Sequence, residues 1–380
     1  MSFDFSKMTS SRPSPPIVIA EIGTAHGGDL GRGLELIDAA ADAGADIAKV
    51  QVVIAEEILP PEAGLVPLPG GDTPLYEVFQ KLERPVEFYA ALAQRAASRN
   101  IGFLASPFGE KSIRLLEEIG VKAWKVASPE LNHEPMLERL AATGLPLILS
   151  TGVSRMEDIQ RALDVIAASV SAAAPPIVIL HCLTHYPAPE NEANLRVIPT
   201  LAAAFGHPAG LSDHSLDPVL IPSLASALGA FMIEKHITLS KDAGGLDDPV
   251  ALTPEAFTEM TAAVRRFALP GGTASTHLNA VIDELTEEYG RKRVEACLGD
   301  GMKRLAPSEE PSYYRTNRSL HAVGALKKGT ILNPENTALL RTEKVLRPGL
   351  EPRLRKEAYG CRLIRDISSG DGITLKDLGT

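Results

Sequence analysis

Residues 209–237 read AGLSDHSLDPVLIPSLASALGAFMIEKHI, and this stretch decides the fold. AGLSDH (209–214) contains a short strand, LIPSLASALG (220–229) is an apolar helical run, and FMIEKHI (231–237) is a strand again. Both strands become polar toward their carboxyl ends. The first finishes on Ser212, Asp213 and His214; the second carries Glu234 and His236. Glu234 and His236 are two apart, so they share one face of the strand.

Toward the amino terminus the same alternation recurs. IVIAEI (17–22), IAKVQVV (47–53), IGFLAS (101–106), AWKVAS (123–128), LPLILST (145–151) and PIVILHC (176–182) are strand candidates. Helical patterns separate most of them, as with Leu30, Leu34, Ile37 and Ala41. Eight strands alternating with helices over roughly 250 residues is the rhythm of an α/β protein of the (β/α)8 TIM-barrel type. A doubly wound sheet is the competitor, but no glycine fingerprint follows the first strand. Between the second strand and Pro85 the chain is rich in proline and glycine (Pro60, Pro61, Pro67, Pro69, Gly70, Gly71) and reads as a long loop.

Toward the carboxyl terminus the pattern changes after residue 268. Residues 269–312 read as a linker holding a helical segment from about Leu278 to Cys297. Residues 313–380 are short runs punctuated by Gly324, Gly329, Pro334, Pro348, Gly349, Gly360 and Gly370, a small β-rich domain. Residues 1–16 read as a disordered Pro/Ser-rich tail without the apolar stretch of a secretory signal, so a cytoplasmic location is expected. Apolar runs are of strand length, too short for a membrane span. A net charge of −10 argues against nucleic acid as the main partner, though a local pocket can still be positive. Three widely spaced cysteines form neither a disulfide framework nor a C-x-x-C site.

Chemistry in such barrels gathers at the carboxyl ends of the strands. That places Glu21, Lys49, Gln51, Ser106, Lys125, Ser128, Glu130, Ser150, Tyr186, Ser212, His214, Glu234 and His236 around one mouth. A lysine inside an apolar run is costly without an anionic partner. Lys49 and Lys125 together therefore suggest a ligand carrying two or three negative charges, such as a phosphate plus a carboxylate, with the serines as neutral donors. A lone strand-end histidine is usually structural. Two on adjacent strand ends beside a carboxylate suit Mn²⁺, Mg²⁺, Zn²⁺ or Fe²⁺. Lys49 or Lys125 also suits a Schiff-base aldolase.

The motifs AEIG, HGGD, KVQ, SPF, WKVASPE, ILSTG, LHC with YPAP, LSDH and IEKH followed by GGLDD come in an order that resembles the sialic acid synthase family. This includes N-acetylneuraminate synthases and their relatives for legionaminic, pseudaminic and spore-coat sugars. The likeness runs from about residue 17 to 380, with residues 317–378 similar to the antifreeze-like (SAF) domain of these enzymes. It implies condensation of phosphoenolpyruvate with an N-acylated amino-sugar aldehyde, as a transferase, with Mn²⁺ or another divalent ion such as Mg²⁺. It implies His214 and His236 as metal ligands, and Lys49, Lys125, Ser106, Ser128, Ser150 and Ser212 as phosphoenolpyruvate contacts. Glu21, Gln51, Glu130, Tyr186, Glu234 and Asp247 match positions around the sugar and the reacting carbons. Arg318 matches an arginine that the small domain presents to the sugar from the partner subunit of a domain-swapped homodimer. The loops Ala25-His26-Gly27-Gly28, Ser128-Pro129-Glu130, Asp247-Asp248 and Gly70-Gly71-Asp72 depart from the family pattern, and all lie toward the sugar. A non-catalytic carbohydrate- or surface-binding relative is the reading from a different class.

Overall fold

The structure is a computed structural model and describes residues 3–5, 8, 14–68, 71–170, 174–269, 274–343 and 345–379. Eight parallel strands form a nearly closed barrel: β1 Ile17–Gly23, β2 Ile47–Gln51, β3 Gly102–Ser106, β4 Trp124–Val126, β5 Leu147–Ser150, β6 Ile177–Cys182, β7 Ala209–Asp213 and β8 Met232–His236. The hydrogen-bonded order is β3-β2-β1-β8-β7-β6-β5-β4, with β3 and β4 side by side at the seam. Helices wrap the outside. The first, Leu30–Asp42, shows why: Asp29 accepts a hydrogen bond from the Arg32 amide at 2.7 Å and caps it. Gly33, Leu36, Ile37 and Ala40 then recur on one buried face at helical spacing.

Inside the barrel, period two divides each strand into a floor and a mouth. Ile19, Ile47, Leu104, Ala123, Ile148, Leu180 and Met232 belong to one apolar cluster. Two residues further along the same faces stand Glu21, Lys49, Ser106, Lys125, Ser150, Cys182 and Glu234. The apolar layer thus seals the bottom and carries the polar layer above it. Phe3, Phe5 and Met8 join this floor from below, with Phe5 and Met8 buried. The described residues of the amino-terminal segment are therefore a plug, not a disordered tail.

One other expectation is corrected. The segment between β2 and Pro85 is no plain loop. It holds a short helix Ala55–Ile58, a hairpin pairing Leu65–Leu68 with Gly71–Pro74, and a helix Leu75–Leu82. Val53, Ile58, Leu59, Val66, Leu75 and Phe79 give it a core of its own beside the mouth. The linker after the barrel, expected to hold a helical segment, holds two helices and does more than connect. Helices Ala274–Tyr289 and Arg291–Leu298 bury Val281, Ile282, Leu285, Val294, Cys297 and Leu298 in the main core around the barrel.

The carboxyl-terminal domain has two short antiparallel pairs. β9 Arg318–Ala322 pairs with β10 Thr337–Arg341, and β11 Arg362–Leu363 with β12 Leu378–Gly379. Leu320, Leu332, Leu350, Leu363 and Ile373 form its small core. So small a core gains from a neighbour. Asn132 of the barrel exchanges hydrogen bonds with the Arg318 backbone at 2.9 and 3.1 Å, and Arg355 pairs with Glu134 at 2.7 Å.

Candidate active site

The carboxyl ends of the strands open into a cavity of about 260 Å³. Its floor is an ionic cluster. β1 and β2 put Glu21 beside Lys49 in register, and Lys49 Nζ lies 2.6 Å from Glu21 Oε2. Glu234 comes from β8, with Oε1 3.6 Å from both Lys49 Nζ and Lys125 Nζ. Ser212, opposite Glu234 on β7, donates to Oε1 at 3.0 Å, and Gln51 donates to Glu21 Oε1 at 2.9 Å. Lys125 donates to Ser150 Oγ at 2.6 Å.

The two lysines differ in charge balance. Burial alone would push Lys49 down, but Glu21 and Glu234 outweigh it and hold the ammonium above its ordinary value. Lys125 is lowered, because burial is larger than the pull of Glu234 and Lys49 repels it. Burial works against an ionised Glu234 as well, yet Lys125 and Lys49 bring it down to about 2. The floor therefore sets two lysine amines against two carboxyl side chains. Glu234 Oε2 accepts no hydrogen bond and Ser106 Oγ has no partner, while Glu21 Oε2 meets Lys49 Nζ at 2.6 Å. Ser106 Oγ can donate to an anion bound in the cavity, whereas Glu234 Oε2 calls for a donor such as a water or a hydroxyl.

Beside the floor stand two imidazoles. The His214 and His236 ring centres are 5.5 Å apart. His214 Nδ1 donates to the Leu183 carbonyl at 2.7 Å, which fixes the ring and directs Nε2 to a metal. Burial lowers the His214 pKa, but Cys182 and the Leu183 carbonyl raise it to about 9, so a bound ion would have to displace a proton from Nε2. Burial lowers His236, keeping it the neutral imidazole a metal requires. Asp247 Oδ2 is 4.0 Å from His236 Nδ1, and the Tyr186 ring lies 4.1 Å from that of His214. Burial and then Asp247 raise Tyr186 well above its ordinary value, so the phenol stays protonated. Among the described residues no three His, Cys, Asp or Glu side chains converge as a ready-made ion site. The donor set fits a divalent ion that takes two imidazoles from the protein and completes its shell with water and substrate oxygen. Behind both histidines, Lys235 is buried against Asp213 and donates to Ser215 Oγ at 3.0 Å, bracing the backbone either side of His214.

Of the residues read from sequence, Glu21, Lys49, Gln51, Ser106, Lys125, Ser128, Ser150, Tyr186, Ser212, His214, Glu234, His236 and Asp247 line this cavity. Glu130 and Arg318 do not line it within the one chain. Both side chains are 0% exposed. Glu130 turns away in the tight turn Ser128–Glu130 after β4, and Arg318 Nη2 reaches it at 2.8 Å. These contacts lie within one chain, where a partner subunit had been expected to supply the arginine. Leu75, Phe79, Phe108, Thr184 and, from the small domain, Thr316, Arg341 and Glu343 complete the wall. No strand-end rule points to these, since they come from the cap, loops and the other domain. Among the described residues no helix is long and apolar enough to cross a membrane.

Residues 36–275 match the NeuB family. The chain is 33% identical to the spore coat polysaccharide biosynthesis protein SpsE of Bacillus subtilis (strain 168) over 99% of this chain and 97% of that protein. It is 33% identical to the N,N'-diacetyllegionaminic acid synthase of Campylobacter jejuni subsp. jejuni over 86% and 90%. The crystal structure of Bacillus subtilis SpsE superposes with a TM-score of 0.79 at 32% identity, covering 100% of this chain and 99% of that one.

Proposed function

From the premise that this chain belongs to the NeuB family, we propose that it is a synthase of a nonulosonic acid, joining phosphoenolpyruvate to an N-acylated amino-sugar aldehyde with release of phosphate. The observation that carries this reading is the floor: Lys49 and Lys125 on strands at one mouth, with Glu234 Oε1 3.6 Å from each. Such a pair matches a substrate with phosphate and carboxylate on neighbouring atoms. Ser106, Ser128, Ser150 and Ser212 add neutral donors around it.

Carbon 3 of phosphoenolpyruvate attacks the aldehyde carbon. Water adds at carbon 2, the carbon–oxygen bond to phosphate breaks, and phosphate leaves. Glu21 and Glu234 flank this point and either can stabilise positive charge or take the proton of water; Glu234 keeps Oε2 without a donor, whereas Glu21 Oε2 faces Lys49. Tyr186, protonated and against His214, is placed to donate to an oxygen. His214 and His236 would hold a divalent ion, Mn²⁺ ahead of Mg²⁺, which supplies Lewis acidity toward a carbonyl oxygen when bound. Asp247 would orient His236. An active homodimer that exchanges the small domain belongs to the same proposal and would carry the same side chains across between copies.

The experiment is phosphate release and product mass spectrometry from phosphoenolpyruvate, a panel of N-acyl hexosamines and Mn²⁺. A nine-carbon 2-keto acid whose formation stops with a chelator is expected. No release from any six-carbon acceptor would sink the reading. One observation favours a second reading: burial lowers Lys125, the condition a Schiff-base lysine needs. Borohydride trapping of pyruvate on Lys125 would establish that aldolase in its place.

A further inference from the structure

The strap that leads from helix Arg291–Leu298 to the small domain also reaches two loops of the barrel mouth. Glu309 lies on it, only 1% exposed. Its Oε1 accepts from the Val153 amide at 2.7 Å and from the Thr184 amide at 2.8 Å, while Oε2 accepts from the Ala306 amide at 3.2 Å. Lys303, earlier on the strap, donates to the Thr151 carbonyl at 2.7 Å. The ladder between β5 and β6 runs out where the Thr151 amide meets the Leu180 carbonyl at 3.0 Å. Past that rung, one carboxylate oxygen joins the two loops. Val153 shows what the joint holds. It is buried with φ at 42°, a left-handed backbone that a β-branched residue rarely adopts. Glu309 takes its amide, and Asn317 Nδ2 donates to its carbonyl at 3.0 Å, so the strap sustains a conformation the residue itself disfavours. Next to it, the Gly152 amide donates to Ser128 Oγ at 2.9 Å. Ser128 and Thr184 both line the cavity, and Thr184 Oγ1 is buried without a partner.

We propose that Glu309 is a positioning residue for phosphoenolpyruvate. The assignment rests on the synthase reading above. Glu309 itself is not part of the cavity wall. It acts by fixing the distance between the loops after β5 and β6, and with it the aim of Ser128 and Thr184. A negative charge suits this task better than a neutral acceptor. Its hydrogen bonds to amides are about twice as strong. A buried carboxylate must also keep its donors, so the loops cannot part without stranding it.

Glu309→Gln keeps an acceptor oxygen for the two amides but loses the charge, whereas Glu309→Ala leaves both amides bare. Thermal unfolding first establishes that each variant folds, and Glu309→Gln carries the test alone if Glu309→Ala does not. Calorimetry with phosphoenolpyruvate should show Kd raised about 3–10-fold in Glu309→Gln and about 10–100-fold in Glu309→Ala, the graded loss expected for charge-assisted hydrogen bonds. At saturating phosphoenolpyruvate, kcat should stay within about threefold of wild type, because no reacting group is removed. A purely structural glutamate would lower the unfolding temperature and leave Kd alone. That result in Glu309→Gln overturns the assignment, as does a loss confined to kcat; either leaves the synthase reading intact. Wild-type protein that binds no phosphoenolpyruvate removes both.

Discussion

The two walls of the cavity are built in different ways. The inner wall comes from β1, β2, β4, β7 and β8, whose side chains rise from a sealed apolar floor and neutralise one another through Glu21, Lys49, Lys125 and Glu234. The outer wall is assembled from the cap after β2, the loop holding Asp247, and the small carboxyl-terminal domain further along the chain. Its charges are held by Arg318, which ties the carbonyls of Glu57, Ile58 and Phe108 to β10. The inner wall is thus fixed by the barrel's hydrogen-bond ladder, and the outer one by contacts between segments, the buried Arg318–Glu130 pair among them. That division suits an enzyme in which one substrate is constant and the other varies between relatives, because the outer wall can change without disturbing the ladder.

The contrast breaks first at Lys125. If this lysine serves the ligand and not the fold, Lys125→Met should lower kcat/KM by about 10²–10³-fold or more. The unfolding temperature should hold or rise, because burial disfavours the ammonium and methionine has similar length. A drop of several degrees with activity retained would make Lys125 structural. Next in size is Arg318→Ala. It strips Glu130 of one of its two cations and frees four carbonyls, so a loss of about 3–5 kcal/mol is expected. Limited proteolysis should then cut first in the small domain. Denaturation indistinguishable from wild type would show that the outer wall does not depend on this junction.

A smaller effect separates the walls by pH. Glu234 is held at about 2 against an ordinary 4.5. Its folded value is the lower one, so the unfolded chain takes up the proton first as pH falls. Stability from Glu234 is complete above 4.5 and disappears on the way down to about 2. Glu234→Gln should therefore flatten the decline of unfolding temperature between about pH 5 and pH 3. An unchanged acid slope would mean that the inner wall's ion cluster adds nothing to folding.

Legibility in the sequence follows the same division. Lys49, Lys125 and Glu234 interrupt apolar runs, and period two turns that interruption into a direction; strand order then brings them together. The plug formed by Phe5 and Met8 gave no such signal, since isolated apolar residues among Ser and Pro have no period. The cap between β2 and Pro85 was hidden by its prolines and glycines, which mark turns whether or not the pieces between them pack. Arg341 ends TALLR, a strand with no polarity switch to mark it, and only the docking of β10 against Glu130 gives it a place in the cavity. Residue type and strand position therefore revealed the inner wall, whereas the outer wall depends on contacts between segments too distant for any local pattern to report.

The finest test is Asp247→Asn. Asp247 sits on the outer wall but serves the inner pair, 4.0 Å from His236 Nδ1, with its side chain 27% exposed. A half-solvated carboxylate at that distance adds little to folding, so the unfolding free energy should move by less than about 0.5 kcal/mol. If it orients His236 for a metal, Mn²⁺ affinity of the ligand-free protein should fall about tenfold by calorimetry, the usual loss when a ligand's own hydrogen-bond partner is removed. Unaltered Mn²⁺ binding would confine Asp247 to contact with the acceptor, whereas lost stability would place it with Glu234 as part of the scaffold. Either result redraws the boundary between the wall that the barrel fixes and the wall that the loops supply.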